Sequence, residues 1–468
     1  MRLKIAIVFS LAVTALLSAN AEGVGKAYEA NWGSLDARPV PQWWVDAKFG
    51  IFVHWGVYSV PAYAPAGDSS FAAAYAEWYH GKVLRGEDRF ATYHAKRYAN
   101  APYANFAAEF KAENYDPKAW ADLFKKAGAR YVVLTAKHHD GYALWPSPQT
   151  PYFNSVAMGP GRDLVGEFAA AMKDAGLRRG YYYSHFEYAN PLCPSNRLKR
   201  ADVKPENMRE WSRRINLPQM RDLVERYQAD VLWVDGAWDY TSEDLRACEF
   251  LAWLYNESSV REKIVVNDRW EPNRGVHGGH YTTEYGNRGA ESRAFHPWEE
   301  CRGLGHSFGY NRFETPEHYM SREKCVLTLV DVVSRGGNLL LNVGPTSDGR
   351  IPAIMQDRLL AIGRWLEVNG EAIYGTTLWP LADETLRDRG VYFTQKGNAL
   401  YLIITRWTRD EIVLSKIKSA VDLKFLGLNC QLKWKQSEDG LHLRLPDVSI
   451  SELPCEAAWT IRIQMKSE

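Results

Sequence analysis

Histidines, carboxylates, an arginine and aromatic residues recur in short clusters through the first two-thirds of this 468-residue chain. Side chains of these types can bind a metal ion or perform acid–base chemistry. The clusters are His54-Trp55-Gly56, Lys137-His138-His139-Asp140, Tyr182-Tyr183 with His185, Asp235-Gly236-Ala237-Trp238, Asp268-Arg269-Trp270, Tyr281-Thr282-Thr283-Glu284-Tyr285, Trp298-Glu299, and Ser307-Phe308-Gly309-Tyr310-Asn311-Arg312.

Two chemistries fit these clusters. Histidines together with Asp235 and Asp268 could ligate a metal ion, although adjacent residues of an extended segment, such as His138 and His139, point in opposite directions. The chain also lacks the H-E-x-x-H pattern. The alternative is a pair of carboxylates that cleaves a glycosidic bond, one as nucleophile and the other as acid and then base. The 18 Trp and 26 Tyr favour sugar binding, although a large aromatic core explains them as well.

Five of the clusters lie at the ends of short apolar runs that predict buried strands. The six candidate strands are residues 49–53, 131–135, 180–184, 231–234, 264–267 and 339–343. Amphipathic helix patterns lie between several of them, at residues 117–126, 163–175, 223–227 and 245–255. Strands that alternate with helices form parallel sheets, and the carboxyl ends of parallel barrel strands form one active face.

The predicted fold is α/β, with a (β/α)8-like barrel followed by an antiparallel β-sandwich. A doubly wound sheet is the alternative, but no G-x-G-x-x-G opens a helix after a strand. A helix pattern at residues 355–368 closes the barrel, and seven short alternating runs follow residue 375. We therefore expect a catalytic domain at residues 22–372 and a sandwich at residues 373–468. The polar stretch 190–218 is expected to be a loop insertion over the site.

Residues 1–21 have the pattern of a signal peptide. Arg2 and Lys4 precede an apolar run over residues 5–17, and Ala19-Asn20-Ala21 resembles a cleavage site. The run is short for a membrane span, so we expect export to the periplasm or the medium; an uncleaved anchor is the alternative. The formal net charge of +1 gives no reason to expect binding to nucleic acid or to a membrane. The six cysteines form no C-x-x-C pair, and Cys430 with Cys455 either form a disulfide or remain free thiols.

The chain resembles the α-L-fucosidases of glycoside hydrolase family 29 over essentially all of the mature sequence. The motifs that carry this resemblance are Trp43-Trp44-x-x-Ala47-Lys48-Phe49-Gly50-Ile51-Phe52-x-His54-Trp55-Gly56, Glu77-Trp78-Tyr79, Lys137-His138-His139-Asp140-Gly141, Leu232-Trp233-Val234-Asp235-Gly236, Val266-Asn267-Asp268-Arg269-Trp270, Ser307-Phe308-Gly309-Tyr310-Asn311, and Gly337-Asn338-Leu339-Leu340-Leu341-Asn342-Val343-Gly344-Pro345. The resemblance implies the same two-domain fold and retaining hydrolysis of terminal α-L-fucosides without a metal or organic cofactor. The implied substrate is a fucosylated oligosaccharide or glycoconjugate.

The resemblance also implies roles for individual residues. Asp235 is expected to be the nucleophile and Glu284 the acid/base, with Glu299 as the rival for the second role. The expected sugar-binding residues are His54, Glu77, Trp78, His138, His139, Tyr182, Arg269 and Phe308.

Three further details accompany the roles that the resemblance implies. Phe308 is the candidate for contact with the C5 methyl group of fucose. Tyr182 has tyrosines on both sides, so a slip of one residue would turn the wrong ring towards the site. Asp268, Lys137 and Asp140 are expected to support the site rather than to react. A fucose-binding protein without catalysis and a metal hydrolase remain the alternative functions.

Overall fold

The computed structural model describes residues 27–66, 73–193, 205–286, 296–382 and 384–466. The predicted signal peptide lies outside the described residues, as does part of the predicted insertion. The centre of the fold is an eight-stranded sheet whose neighbouring strands are all parallel. Its strands are β1 (Phe49–Val53), β2 (Tyr131–Lys137), β3 (Arg178–Ser184), β4 (Val231–Asp235), β5 (Val265–Val266), β6 (Tyr281–Glu284), β7 (Trp298–Gly303) and β8 (Asn338–Val343).

The sheet curls into a barrel in the order β5-β4-β3-β2-β1-β8-β7-β6. Its two terminal strands, β5 and β6, meet through an isolated parallel bridge between Asn267 and His280. The backbone N–H of His280 donates to the carbonyl of Val266 at 3.0 Å. A Cβ atom at Gly279 would lie 2.0 Å from that carbonyl oxygen, so this close approach requires glycine.

Helices alternate with the strands and cover the barrel. The α-helices of the described residues are α1 (Trp32–Leu35), α2 (Gln42–Ala47), α3 (Tyr79–Leu84), α4 (Asp88–Tyr98), α5 (Phe106–Glu109), α6 (Pro117–Lys126), α7 (Leu164–Asp174), α8 (Pro205–Trp211), α9 (Leu217–Tyr227), α10 (Ala247–Asn256), α11 (Arg322–Ser334), α12 (Ala353–Asn369) and α13 (Glu384–Asp388). In α6, Asp116 caps the first turn and Pro117 starts the helix, while Trp120 and Phe124 face the core. The capping residues and the buried apolar residues of α6 therefore both favour this helix.

The barrel prediction is confirmed, and the bounds of the six strands predicted from apolar runs agree with the structure within two residues. Strands β6 and β7 were not predicted, because their sequences are largely polar: Tyr-Thr-Thr-Glu and Trp-Glu-Glu-Cys-Arg-Gly. Their polar side chains are nevertheless largely buried and hydrogen-bonded. Glu284 and Glu299 point into the barrel and accept bonds from residues of other elements, whereas Thr283 donates to Glu300 on the other face of the sheet.

The prediction that residues 190–218 form a loop is wrong from Pro205 onward. Helix α8 begins there and continues through a π-helical segment, Ser212–Asn216, into α9. Met208 and Trp211 are buried against Phe186 and Tyr240, and this apolar face stabilises a helix that its polar composition obscured. Residues 194–204 lie outside the described part of the chain.

The C-terminal strands form a four-stranded sheet, β12-β15-β10-β9, and a three-stranded sheet, β11-β14-β13, with antiparallel pairing. Their bounds are β9 (Val391–Lys396), β10 (Ala399–Ile404), β11 (Ile412–Leu414), β12 (Ala420–Phe425), β13 (Lys433–Ser437), β14 (Gly440–Arg444) and β15 (Trp459–Met465). The predicted antiparallel sandwich is therefore present.

Strand β10 is buried on both faces. Leu400, Leu402 and Ile404 lie in the core between the two sheets, whereas Tyr401 and Ile403 pack with the core of the barrel. The indole N–H of Trp365 in α12 also donates to the carbonyl of Ala458 at 2.9 Å. The sandwich is thus packed directly against the barrel rather than tethered to it.

Two chain-wide features complete the fold. All six cysteines are free thiols, so Cys430 and Cys455 do not form a disulfide in this structure. Among the described residues, no helix is long and apolar enough to cross a membrane.

Candidate active site

A cavity of about 950 Å³ opens at the carboxyl ends of the barrel strands. Nine of the ten residues predicted for catalysis or sugar binding line it, and His139 is the exception. The nine are His54, Glu77, Trp78, His138, Tyr182, Asp235, Arg269, Glu284 and Phe308. Residues separated by up to 254 positions in sequence therefore share one pocket, as a barrel active face requires.

Asp235 is the last residue of β4 and is buried. Its carboxylate accepts hydrogen bonds from the Tyr182 hydroxyl at 3.2 Å and from Arg269 Nη1 at 3.1 Å. Burial alone would raise the pKa of this carboxyl, but the Arg269 guanidinium, with other positive groups, holds the pKa well below its usual range. Asp235 is therefore ionised throughout the working pH range, as a carboxylate nucleophile must be.

Arg269 joins Asp235 to the second carboxylate of the pocket. Its Nη2 donates to Glu284 Oε2 at 3.1 Å, while its Nη1 holds Asp235, and the guanidinium lies 4.3 Å from the centre of the Trp233 ring. The hydroxyl of Tyr75 donates to the other oxygen of Glu284 at 2.9 Å. Two carboxylates held by one guanidinium face a shared space, which is the arrangement that a retaining glycosidase needs.

The rival carboxylate, Glu299, lies deeper in the barrel. Strands β6 and β7 pair in parallel, with Glu299 opposite Thr282 and Glu284 opposite Cys301. Two residues along a strand span about 6.6 Å, so Glu299 lies one layer below Glu284, and it does not line the cavity. Its carboxylate accepts bonds from the Tyr131 hydroxyl at 2.5 Å and from the Trp233 indole at 2.9 Å.

Two buried histidines present neutral imidazoles to the cavity. Burial lowers the pKa of His54 to about 3 and that of His138 well below its usual value. His54 Nδ1 lies 2.7 Å from the side-chain oxygen of Asn342, whose amide nitrogen donates to the carbonyl of Phe308. This amide orientation places the proton of His54 on Nδ1 and leaves Nε2 as a hydrogen-bond acceptor.

Glu77 lies in a short 3₁₀ helix, Ala76–Trp78, that reaches over the barrel. Its carboxylate accepts bonds from the Gly309 backbone N–H at 2.8 Å and the Ser307 hydroxyl at 3.2 Å. Burial raises the pKa of Glu77 to about 7 in spite of these donors. Glu77 thus changes charge near neutral pH.

The tyrosine triplet of β3 is in the predicted register. Tyr182 lines the cavity and stacks with Trp233, whereas its neighbours point away from the cavity. The hydroxyl of Tyr181 donates to the Tyr227 carbonyl, and that of Tyr183 donates to Gln219.

His139 lies next to Asp235 but is not among the residues that line the cavity. Its Nδ1 is 2.6 Å from the Ser184 hydroxyl, and its Nε2 is 3.7 Å from Asp235 Oδ2. His139 thus lies beside Asp235, and its ring packs against Trp78 and Trp238 of the cavity wall.

The three residues expected to support the site are all buried and hydrogen-bonded. Asp268 accepts from the Thr282 hydroxyl at 2.7 Å, Asp140 accepts from the Tyr103 hydroxyl at 2.7 Å, and Lys137 pairs with Glu187 at 2.9 Å. None of the three lines the cavity.

Sequence reasoning missed several residues of the cavity wall. Tyr75 lies two residues before Glu77, and Cys301 lies two residues after Glu299, so a correct strand register for β7 would have placed Cys301 inward. Phe52, Trp233 and Thr282 are further buried residues of the wall, and the other omissions form the cavity rim, which also includes Trp78. The rim consists of Trp78, Trp238, Pro272, Asn273, Arg274 and Val276. Loop residues such as these have no periodicity from which sequence could place them.

Comparisons with known proteins agree with this geometry. A family model described as Alpha-L-fucosidase matches residues 15–371, and one described as Alpha-L-fucosidase C-terminal domain matches residues 383–464. The chain belongs to the α-L-fucosidase family. The tissue α-L-fucosidase of Rattus norvegicus is similar to this fucosidase, with 41% identity over 460 residues that cover 96% of each chain. The tissue α-L-fucosidase of Homo sapiens is 39% identical over 445 residues, which cover 94% of this chain and 92% of the human protein.

Solved structures of fucosidases resemble this one along most of its length. An α-L-fucosynthase of Thermotoga maritima in complex with α-L-Fuc-(1-2)-β-L-Fuc-N3 has a TM-score of 0.79 and 40% identity, covering 93% of this chain and 99% of that chain. The α-fucosidase of Thermotoga maritima in complex with fucose has a TM-score of 0.73 and 38% identity, covering 93% and 100%. This fucosidase is therefore a glycoside hydrolase of the retaining, exo-acting type.

Proposed function

We propose that this fucosidase releases terminal α-L-fucosyl residues from oligosaccharides or glycoconjugates, with Asp235 as nucleophile and Glu284 as acid/base. The observation that carries the assignment is the Arg269 guanidinium, which contacts both carboxylates at 3.1 Å. A retaining mechanism needs two carboxyl groups about 5–5.5 Å apart on the two sides of one bond.

In the first step, Asp235 attacks the anomeric carbon of the fucosyl residue. Glu284 donates its proton to the glycosidic oxygen, the bond from that oxygen to the anomeric carbon breaks, and the aglycone leaves as an alcohol. The product on the enzyme is an ester between fucose and the Asp235 carboxyl. The positive charge of Arg269 holds Asp235 ionised for this attack.

In the second step, Glu284 acts as a base. It takes a proton from a water molecule, whose oxygen attacks the anomeric carbon and breaks the ester bond to Asp235. Fucose leaves with the configuration that it had in the substrate, and Glu284 regains the proton that the next cycle requires. The Tyr75 hydroxyl and Arg269 keep Glu284 oriented between the two steps.

Fucose recognition rests on groups that are fixed before the sugar arrives. His54, Glu77, His138 and Arg269 offer donors and acceptors for the ring hydroxyls from buried positions. An epimer would leave some of these buried groups without partners, which costs more than a lost methyl contact. Phe308, packed 4.9 Å from the His54 ring, provides an apolar surface for the C5 methyl group.

The assignment of the nucleophile is tested with Asp235→Gly and an aryl α-L-fucoside. We expect the rate of aglycone release to fall by at least about a thousandfold, and azide to restore part of it by occupying the vacated position and forming a fucosyl azide. The control is Asp174→Gly, which changes an exposed aspartate of α7 and leaves the rate unaltered. Wild-type turnover by Asp235→Gly would refute the role of Asp235.

Because both reacting groups are carboxylates, the mechanism requires no metal ion, and the rate is expected to persist in EDTA. Loss of activity in EDTA and its recovery with an added divalent ion would favour the metal hydrolase instead.

The N-terminal sequence supports a second proposal, that residues 1–21 direct export and are then removed. Mass spectrometry of the protein from its native host is expected to find a mature chain that begins at Glu22 in the periplasmic or extracellular fraction. An intact Met1 on a cytoplasmic protein would contradict it.

A further inference from the structure

Strand β7 carries a second buried glutamate, Glu300, which follows Glu299 and does not line the cavity. Strands β6 and β7 pair with Thr283 opposite Glu300, so these two side chains share one face of the sheet. Neighbouring residues of a strand point to opposite faces, and Glu284, next to Thr283, points into the cavity. Glu300 therefore lies behind the proposed acid/base, on the outer face of the barrel sheet.

The Glu300 carboxylate holds the chain on both sides of Glu284. Its Oε2 accepts a hydrogen bond from the Thr283 hydroxyl at 2.5 Å, and its Oε1 accepts one from the backbone N–H of Gly286 at 2.8 Å. The first donor precedes Glu284 by one residue, and the second follows it by two residues. One side chain thus fixes both ends of the segment 283–286, which contains the proposed acid/base.

The backbone between these two contacts has a conformation that needs such support. Tyr285 has a φ of 53°, in the left-handed region that residues with a Cβ atom rarely occupy. A residue stays in this region only where surrounding contacts fix it. The Tyr285 hydroxyl accepts from the Gly303 backbone N–H at 3.1 Å, and the Arg302 guanidinium lies 5.3 Å from the centre of the Tyr285 ring. The chain therefore turns away from β6 directly after Glu284, in a geometry that its neighbours hold.

We propose that Glu300 is a positioning residue for the acid/base: by holding Thr283 and Gly286, it keeps the carboxyl group of Glu284 at the glycosidic oxygen. This inference rests on the proposed function, because it assumes that Glu284 is the acid. Hydrogen bonds within the cavity orient the carboxylate of Glu284, whereas Glu300 fixes the backbone from which that side chain extends.

The test measures kcat/KM of Glu300→Ala on two substrates. Methyl α-L-fucoside needs a proton from the acid, whereas 4-nitrophenyl α-L-fucoside needs little protonation. A displacement of about 1 Å in an active site can slow a reaction about 100-fold. We therefore expect kcat/KM to fall about 10–100-fold for the methyl substrate and less than about threefold for the nitrophenyl substrate. A general loss of structure would lower both values by the same factor.

Glu300→Gln is the matched control. Its amide oxygen can accept from the Gly286 N–H, and its amide nitrogen can donate to the Thr283 hydroxyl, which then donates to the Glu299 carbonyl 3.4 Å away. Both contacts are kept without the charge, so we expect kcat/KM for each substrate to stay within about threefold of wild type. A loss in Glu300→Gln as large as that in Glu300→Ala would show that the two hydrogen bonds do not carry the effect, and it would overturn the inference.

Thr283→Val is a second variant, which keeps the inference testable if Glu300→Ala does not fold. It removes one of the two contacts and leaves a side chain of similar shape, so we expect a loss of about three- to tenfold that is confined to the methyl substrate. Thr283→Ser retains the hydroxyl and should match wild type on both substrates. Equal losses on the two substrates in Glu300→Ala or in Thr283→Val would refute the positioning role.

Glu284→Gln separates this inference from the proposed function. If Glu284→Gln slowed both substrates by the same factor, Glu284 would not be the acid and the proposed function would fail in that assignment. If Glu284→Gln slowed mainly the methyl substrate but Glu300→Ala did not, only the role of Glu300 would be refuted. In the double variant, the loss for the methyl substrate should stay close to that of Glu284→Gln alone, because no acid remains to be positioned; additive losses would contradict the inference.

Discussion

The protein shifts the pKa values of two buried carboxyl groups of one cavity in opposite directions. Arg269 holds the pKa of Asp235 below its usual range, whereas burial with weaker compensation raises the pKa of Glu77 to about 7. Opposite environments for neighbouring acids are the usual way to give them different tasks at one pH. Here Asp235 is fixed as an anion, as the proposed nucleophile must be, whereas Glu77 can hold a proton near neutral pH.

Glu77 should therefore make the stability of the protein depend on pH. Its pKa is about 7 in the folded state and near 4.5 in the unfolded state, so between these values the folded state binds more protons, and stability falls as pH rises. In Glu77→Gln the side chain at this position carries no charge, so the variant does not lose stability through this group as pH rises. From pH 5 to pH 8, we expect the free energy of unfolding of Glu77→Gln to gain about 2–3 kcal/mol relative to wild type.

Chemical denaturation of both proteins at pH 5, 6, 7 and 8 measures this difference. It should grow up to about pH 7 and then level off, because wild-type Glu77 is fully ionised beyond that point. A difference that stays constant over the whole range would show that Glu77 does not titrate there.

At the scale of the elements, strand register decides which carboxylate reaches the cavity. Glu284 and Glu299 belong to adjacent parallel strands and both point into the barrel, yet the pairing puts Glu299 one layer deeper. There it receives bonds from Tyr131 and Trp233, which join β2 and β4 to β7 across the interior. Glu299 therefore belongs to the hydrogen-bonded interior, whereas Glu284 faces the cavity, where the proposed acid/base must lie.

The two glutamates should respond differently to the leaving group. Glu284→Gln is expected to slow methyl α-L-fucoside by about 10²–10⁴-fold and 4-nitrophenyl α-L-fucoside much less, since a nitrophenolate leaves with little protonation. Glu299→Gln should lower the rates for both substrates by the same factor. Steady-state kinetics of the two variants on the two substrates check this, and a leaving-group dependence in Glu299→Gln would reverse the assignment.

The elements also show what sequence could predict. Unbroken apolar runs were enough to predict β1 and β4, because strands that are buried on both faces consist of such runs. The carboxyl ends of these two strands then located His54 and Asp235. The same criterion missed β6 and β7, whose buried carboxylates are hydrogen-bonded by residues of other elements, and it missed α8, whose apolar face is narrow. Tyr75, Trp238 and Arg274 lie in loops, where only the folded chain shows that they meet.

At the scale of the whole molecule, β10 joins the two domains. It places alternate side chains in the barrel core and in the core between the sheets, so neither core is complete without this strand. Trp365 adds a buried indole and a hydrogen bond at the same junction. Such an interface makes the domains cooperative.

The protein should accordingly unfold in one calorimetric transition. Trp365→Ala is expected to lower the free energy of unfolding by about 3–5 kcal/mol and to shift the whole transition to lower temperature. Trp434→Ala, at a partly exposed position of β13, serves as the control and should have a smaller effect. Two separated transitions in the wild-type protein would contradict a shared core.

The place where β5 meets β6 has a consequence for the chemistry. Asp235 and Glu284 lie on strands at either side of this junction, where the backbone pairing is reduced to the bridge between Asn267 and His280. Above that bridge, the guanidinium of Arg269 contacts both carboxylates and so sets the spacing between them. Inverting glycosidases differ from retaining ones chiefly by a wider spacing that admits a water molecule. In this barrel, the side chain of Arg269, rather than the pairing of the strands, therefore keeps the two carboxyl groups at the shorter spacing of a retaining enzyme.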